Sequence, residues 1–184
     1  METSLAGRLL VATPQITTQV FRRGVVLLLH HDTAGAHGLL LNKPIGVDVD
    51  RVLPGWGEQV CSPRELFQGG PVSLDTALGL AWLPGGQPPS SVHLLFGAVG
   101  VVDLDVRPED ALPGAAGMRV FAGYSGWSEN QLEEEIDEGS WYVVDSTPED
   151  VFCLDPAVLW RAVLRRQPGR LAFVAHYPDD PEWN

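Results

Sequence analysis

Seven consecutive residues, Gly24 to His30 (GVVLLLH), constrain the fold more than any other stretch of the chain. The run is β-branched and leucine-rich without polar alternation, the pattern of a strand buried on both faces. His31-Asp32-Thr33-Ala34-Gly35 then supplies turn residues, and Ala36 to Asn42 (AHGLLLN) reads as the hairpin partner. Asn42-Lys43-Pro44 ends that strand, because proline cannot donate to a ladder and biases Lys43 away from helix.

The rest of the chain reads as short elements. Leu9 to Ala12 forms a first strand closed by Thr13-Pro14, and Thr17 to Phe21 a turn. Val47 to Leu53 reads as a short helix stopped by Pro54-Gly55. Arg64 to Gln68, Thr76 to Leu83, Val92 to Phe96 and Val99 to Asp103 read as strands. Pro108-Glu109-Asp110 starts a helical turn, and Gly85 to Ser91 (GGQPPSS) is the most loop-like segment. Thr147-Pro148 and Asp155-Pro156 each open a helix, the second and longest reaching about Gln167, and Leu171 to His176 reads as a last strand. Many strands with few, short helices imply an α+β arrangement around one mixed sheet. A length of 184 residues, 45% of them hydrophobic and 20% charged, suits one domain spanning 1–184 with a real core.

Ala122 to Val144 (AGYSGWSENQLEEEIDEGSWYVV) carries the densest local signals. Met118 to Tyr124 leads in as a strand, and the glycines around Ser125 suggest a tight turn. Ser128 reads as an N-cap with Gln131 completing a capping box, and Trp127 with Leu132 has the spacing of a hydrophobic staple. Leu132 and Ile136 share one helix face, and Gly139 is placed as the C-terminal stop.

Composition excludes several functions. The net charge is −12 and Lys43 is the only lysine, so long-range attraction to duplex nucleic acid is disfavoured. No apolar run approaches the roughly 20 residues of a membrane helix. METSLAGRLL lacks the pattern of a secretory signal, which makes the cytoplasm the expected location. Cys61 and Cys153, without CxxC spacing, read as idle thiols rather than a disulfide or metal site.

Four groups of residues invite chemistry. Gly123-Tyr124-Ser125-Gly126 approaches the nucleophile elbow G-x-S-x-G, but Trp127 stands where the last glycine belongs. Ser125 with His176 and Asp145, Asp150 or Asp155 would make a small serine hydrolase. His30, His31, His37 and Asp32 are the densest set of ligand-type side chains; adjacent strand residues face opposite ways, so strand-end histidines are the simpler reading and no metal is expected. Gly69-Gly70-Pro71 could offer N–H groups to an anion or nucleotide, although Pro71 lacks one and no lysine follows. Arg161, Arg165, Arg166 and Arg170 either complement the end of the last helix or form a partner-binding patch.

Asn42-Lys43-Pro44 after GLLL, Phe67-Gln68-Gly69-Gly70-Pro71-Val72, and Gly126-Trp127 followed by Gln131-Leu132-Glu133-x-Glu135-Ile136 occur in an order that resembles the AlgH/YqgE family. Gly7 to Pro14 and Phe21 to Val26 look like that family's first two strands, so the resemblance covers nearly the whole chain. It implies a bifurcated mixed sheet curled into a pseudo-barrel with short helices outside. It also implies a cytosolic bacterial protein without established enzymatic activity or cofactor, of a type labelled transcriptional regulator. Asn42, Pro44, Gly69, Gly70, Pro71, Trp127, Gln131 and Glu135 match the shared motifs and are the binding residues it suggests. Many members have glycine just before the glutamine, where this chain has Asn130. The expectation is a non-catalytic binding or regulatory module for a protein or small-molecule partner; the alternatives are a hydrolase using Ser125 and an anion site at Gly69-Gly70.

Overall fold

The structure is a computed structural model that describes residues 3–85, 87–111 and 115–178. Its first four strands are β1 (Arg8–Ala12), β2 (Val25–Asp32), β3 (Gly35–Leu40) and β4 (Pro44–Asp48). Helix α1 (Val49–Val52) leads to β5 (Glu65–Gln68), β6 (Val72–Trp82), β7 (Val92–Phe96) and β8 (Val99–Val102). After α2 (Pro108–Ala111) come β9 (Gly117–Trp127), α3 (Gln131–Asp137) and β10 (Trp141–Asp145). Helices α4 (Pro148–Val151), α5 (Leu159–Arg165) and α6 (Leu171–Val174) close the chain.

The main path of the sheet runs β10-β1-β2-β3-β9-β6-β8-β7. It forks at β9: β5 runs parallel to Phe121 and Ala122, while β3 pairs antiparallel with Ser125 to Trp127. β4 adds to the outer side of β5. The result is the curled, bifurcated half-barrel of mixed strands that the family resemblance implied, with short helices outside.

β2 explains why the sheet curls around it. Val25, Val26, Leu27 and Leu28 are all fully buried. Val25 and Leu27 join one apolar cluster with Phe67, Phe121 and Trp160. Val26 and Leu28 join another with Leu40, Trp127 and Trp141. Both faces are therefore covered, as GVVLLLH requires. Burying a Val or Leu side chain contributes roughly 1.5–3 kcal/mol, which makes this strand a principal source of stability. No helix among the described residues is long and apolar enough to cross a membrane.

Four sequence expectations need correction. Leu171 to Val174 is helix rather than strand: α6 packs against α5, and Phe173 is 76% exposed. The segment after Pro44 continues as strand β4 before a one-turn helix, with Pro44 in the first strand position, where a missing donor is tolerated. Gly123 to Gly126 is not a turn, because β9 continues to Trp127 and keeps pairing with β3 through Gly38↔Ser125 and Ala36↔Trp127. Ser128 is not the N-cap. The helix starts at Gln131 after Asn130, whose φ of 65° is left-handed, and both the N–H and the hydroxyl of Ser128 donate to Gln131 Oε1. Asparagine tolerates that conformation better than other non-glycine residues, so the backbone itself accounts for Asn130 where the family resemblance suggested glycine. The staple pair Trp127 and Leu132 is buried in one cluster, and Gly139 ends the helix at φ 84° as expected.

Candidate functional site

The shared-motif residues separate into three places. Asn42 is a strand-linking side chain: its Oδ1 accepts from Val25 N–H at 3.0 Å and its Nδ2 donates to Arg23 O at 2.9 Å. Beside it Lys43 Nζ donates to Arg22 O, and burial followed by repulsion from Arg22 pushes its ammonium below the ordinary lysine range. Pro44 is exposed opposite Phe67 at the start of β4, and Pro71 is exposed just before β6.

Gly69 and Gly70 form the second place, a crossing beneath β9. Gly69 N–H donates to Ala122 O, and Gly69 O accepts from Leu40 N–H. The Ser125 hydroxyl also donates to Gly69 O, at 3.0 Å, and Ser125 is fully buried. A Cβ on Gly69 would lie 2.4 Å from Gly123 O, and one on Gly70 2.2 Å from the Tyr124 carbonyl. These contacts account for the Gly-Gly pair and for Ser125 as close backbone packing. Ser125→Ala is expected to cost about 1 kcal/mol, the usual worth of one hydrogen bond, in urea unfolding, and to leave ligand binding unchanged.

Trp127, Gln131 and Glu135 make the third place. Glu135 Oε1 accepts from the indole N–H groups of Trp127 at 3.1 Å and Trp141 at 2.9 Å, and Oε2 accepts from Gln131 Nε2 at 2.9 Å. This carboxylate ties α3 to the ends of β9 and β10. Trp127, Gln131 and Glu135 also border a groove of about 370 Å³ with Phe21 and Trp141.

A cavity larger than that groove lies apart from these three places. That cavity, about 520 Å³, lies in the mouth of the half-barrel, where β2 and β3 face β7 and β8 across β6 and β9. Leu29, Leu39, Leu78, Leu95 and Val101 give it apolar walls, and His30, His37, Thr76 and Tyr124 add polar groups. The rings of His37 and Tyr124 meet edge to face with centroids 5.3 Å apart. His30 Nε2 donates to Asp32 Oδ2 at 2.8 Å, and Ala34 N–H donates to Oδ1. The His30 hydrogen bond first, and then the Ala34 N–H, hold the Asp32 carboxyl below its ordinary range.

His31 points elsewhere. Its Nδ1 accepts from Leu5 N–H and its Nε2 donates to Glu133 Oε1 at 2.7 Å, which lowers the Glu133 carboxyl and fastens α3 to β2. The histidines thus divide by face, as strand geometry requires. Sequence reasoning missed that His30 and His37 lie opposite each other and border one cavity. The signal was the hairpin register: a loop of Thr33 and Ala34 pairs Asp32 with Gly35 and so sets His30 across from His37.

Away from the cavity, Arg119 is only 1% exposed. It donates to Cys153 O and Ser62 O and stacks over Phe67, with its guanidinium carbon 4.3 Å from the ring centre. Cys61 and Cys153 are both free thiols; burial pushes the Cys153 thiol up, and the neighbouring Arg119 opposes that shift. Asp150 is held by Arg166 rather than by a histidine, and it accepts from Thr147 N–H at 2.8 Å.

A curled, forked sheet with a ligand-sized cavity in its mouth defines the class of scaffold. The AlgH-like family model matches residues 9–172, and the chain belongs to that family. A UPF0301 protein of Streptomyces coelicolor is 52% identical over 185 residues, covering 98% of this chain and 96% of its own. A UPF0301 protein of Mycobacterium marinum is 41% identical over 182 residues, covering 97% and 90%. A crystal structure of a Corynebacterium diphtheriae protein superimposes with a TM-score of 0.88 at 31% identity, covering 96% and 94%. The solution structure of the AlgH protein from Pseudomonas aeruginosa gives 0.66 at 25% identity, covering 98% and 97%.

Proposed function

We propose that this protein is a cytoplasmic, non-catalytic binding module of regulatory type, and that the half-barrel cavity is where it takes a small molecule. The observation that carries the proposal is the cavity itself. At about 520 Å³ it falls within the roughly 300–1,000 Å³ of small-molecule sites, with apolar walls and a few polar groups. A non-catalytic role is supported by the placement of Ser125, which is fully buried and whose hydroxyl donates to Gly69 O. The net charge of −12 argues against regulation through direct duplex binding.

An uncharged fluorescent probe tests the site. N-phenyl-1-naphthylamine is expected to bind the wild-type protein saturably with one-to-one stoichiometry and a blue-shifted emission. Leu78→Trp fills the apolar wall and should abolish that signal, with folding verified by circular dichroism. Equal probe binding by wild type and a folded Leu78→Trp would reject the cavity as the site.

A further inference from the structure

We infer that the half-barrel cavity selects an amphiphile with an apolar body and a head that donates hydrogen bonds, a hydroxyl or an amine, over one with an anionic head. This rests on the cavity being the binding site, and it follows from how the polar groups beside it have already used their protons.

The Asp32 carboxylate can only accept, so the proton between it and His30 sits on Nε2. In the neutral ring Nδ1 is then a bare lone pair. The Thr76 hydroxyl makes the same kind of commitment on the opposite wall: it donates to Ser73 O at 2.8 Å, which leaves its oxygen to accept. Thr76 is therefore fixed as an acceptor by a bond within the protein, and His30 Nδ1 is a second acceptor in the neutral ring. His37 and Tyr124 can serve either role and do not oppose this preference.

Charge favours the same class. Among the described residues that line the cavity none is lysine or arginine, and the Asp32 carboxylate lies beside it, bonded to His30. An anionic head would lose hydration there with no cation to replace it, inside the repulsive field of a chain at −12. A hydroxyl or ammonium has a proton to donate to either acceptor, and its tail would lie against Leu29, Leu39, Leu78 and Val101. A desolvated polar group without a partner is costly, so head chemistry rather than tail length should dominate selection.

Three ligands with one tail and different heads test this: 1-octanol, octylamine and octanoate, each competing against N-phenyl-1-naphthylamine at neutral pH. Octanol and octylamine are expected to displace the probe at concentrations at least tenfold below octanoate. Thr76→Val removes one acceptor and should weaken octanol several-fold while leaving octanoate unchanged. Asp32→Asn removes the fixed negative charge and lets either ring nitrogen of His30 carry the proton, and should narrow the gap between octanol and octanoate. Octanoate competing as well as octanol, or Thr76→Val leaving octanol unchanged, would overturn the head preference while the cavity reading stands. Failure of all three ligands, together with probe binding that survives in Leu78→Trp, would overturn both.

Discussion

Gly70→Ala is expected to lower the unfolding free energy by about 3 kcal/mol, the upper end of the usual cost of overpacking. The added methyl would lie 2.2 Å from the carbonyl carbon and oxygen of Tyr124 and 2.4 Å from the Ser125 nitrogen. All three are backbone atoms of a strand held on both sides, so no side chain can rotate to make room. β9 would have to move away from the end of β5, and Leu40 N–H and the Ser125 hydroxyl would lose their shared acceptor, Gly69 O. Gly85→Ala is the matched control: its Cβ meets nothing within 4 Å, and its stability should change by less than about 0.5 kcal/mol. Urea unfolding of the two variants at one temperature reads the difference. Because Tyr124 also lines the cavity, Gly70→Ala should weaken N-phenyl-1-naphthylamine binding as well, which links the motif glycines to function through the position of one strand.

Glu135→Ala is expected to cost about 3 kcal/mol and to shift the tryptophan emission. Its carboxylate satisfies two indole N–H groups, on Trp127 and Trp141, whose residues are 6% and 4% exposed. Removing the acceptor strands both donors, at about 1–3 kcal/mol for each unsatisfied group, with some recovery through water entering the adjoining groove. Glu135→Gln keeps one oxygen for the indoles but turns an amide towards Gln131 Nε2, so about half the loss should return. Neither change touches the cavity, and the preference among octanol, octylamine and octanoate should survive in both variants. A normal stability in Glu135→Ala would show that the clamp is not structural and would return the groove to consideration as a binding surface.

Much of the fold could be read where one local rule decided the outcome. The unbroken run Val25 to Leu28 could only be a covered strand, and Gly139 could only be a stop. The expectations failed where tertiary pairing overrode a local signal. Gly123 to Gly126 looks like a turn in isolation, yet β3 offers it a ladder, and the ladder wins. Leu171 to Val174 has strand-like composition, but it follows α5 closely and packs on it as a helical turn. Ser128 had a capping signature that the left-handed Asn130 displaced by forming a turn first. The family resemblance supplied the forked sheet, which pattern reasoning alone did not reach.

The site was less legible than the fold for a related reason. Glu135 could be singled out by its motif, but its role depends on Trp127 and Trp141 converging from two different strands. The cavity draws on β2, β3, β6, β7, β8 and β9, and no local stretch holds more than a few of its residues. Only the His30–His37 pair lay within reach, through the short loop between their strands.

The central claim, that the half-barrel mouth is the ligand site, is tested most directly by amide NMR during a titration with 1-octanol. Chemical-shift changes are expected to saturate and to cluster at Leu39, Leu78, Val101 and Tyr124, and to be absent in Leu78→Trp. Changes centred instead on Trp127, Gln131 and Trp141, or spread without saturation over the surface, would contradict it.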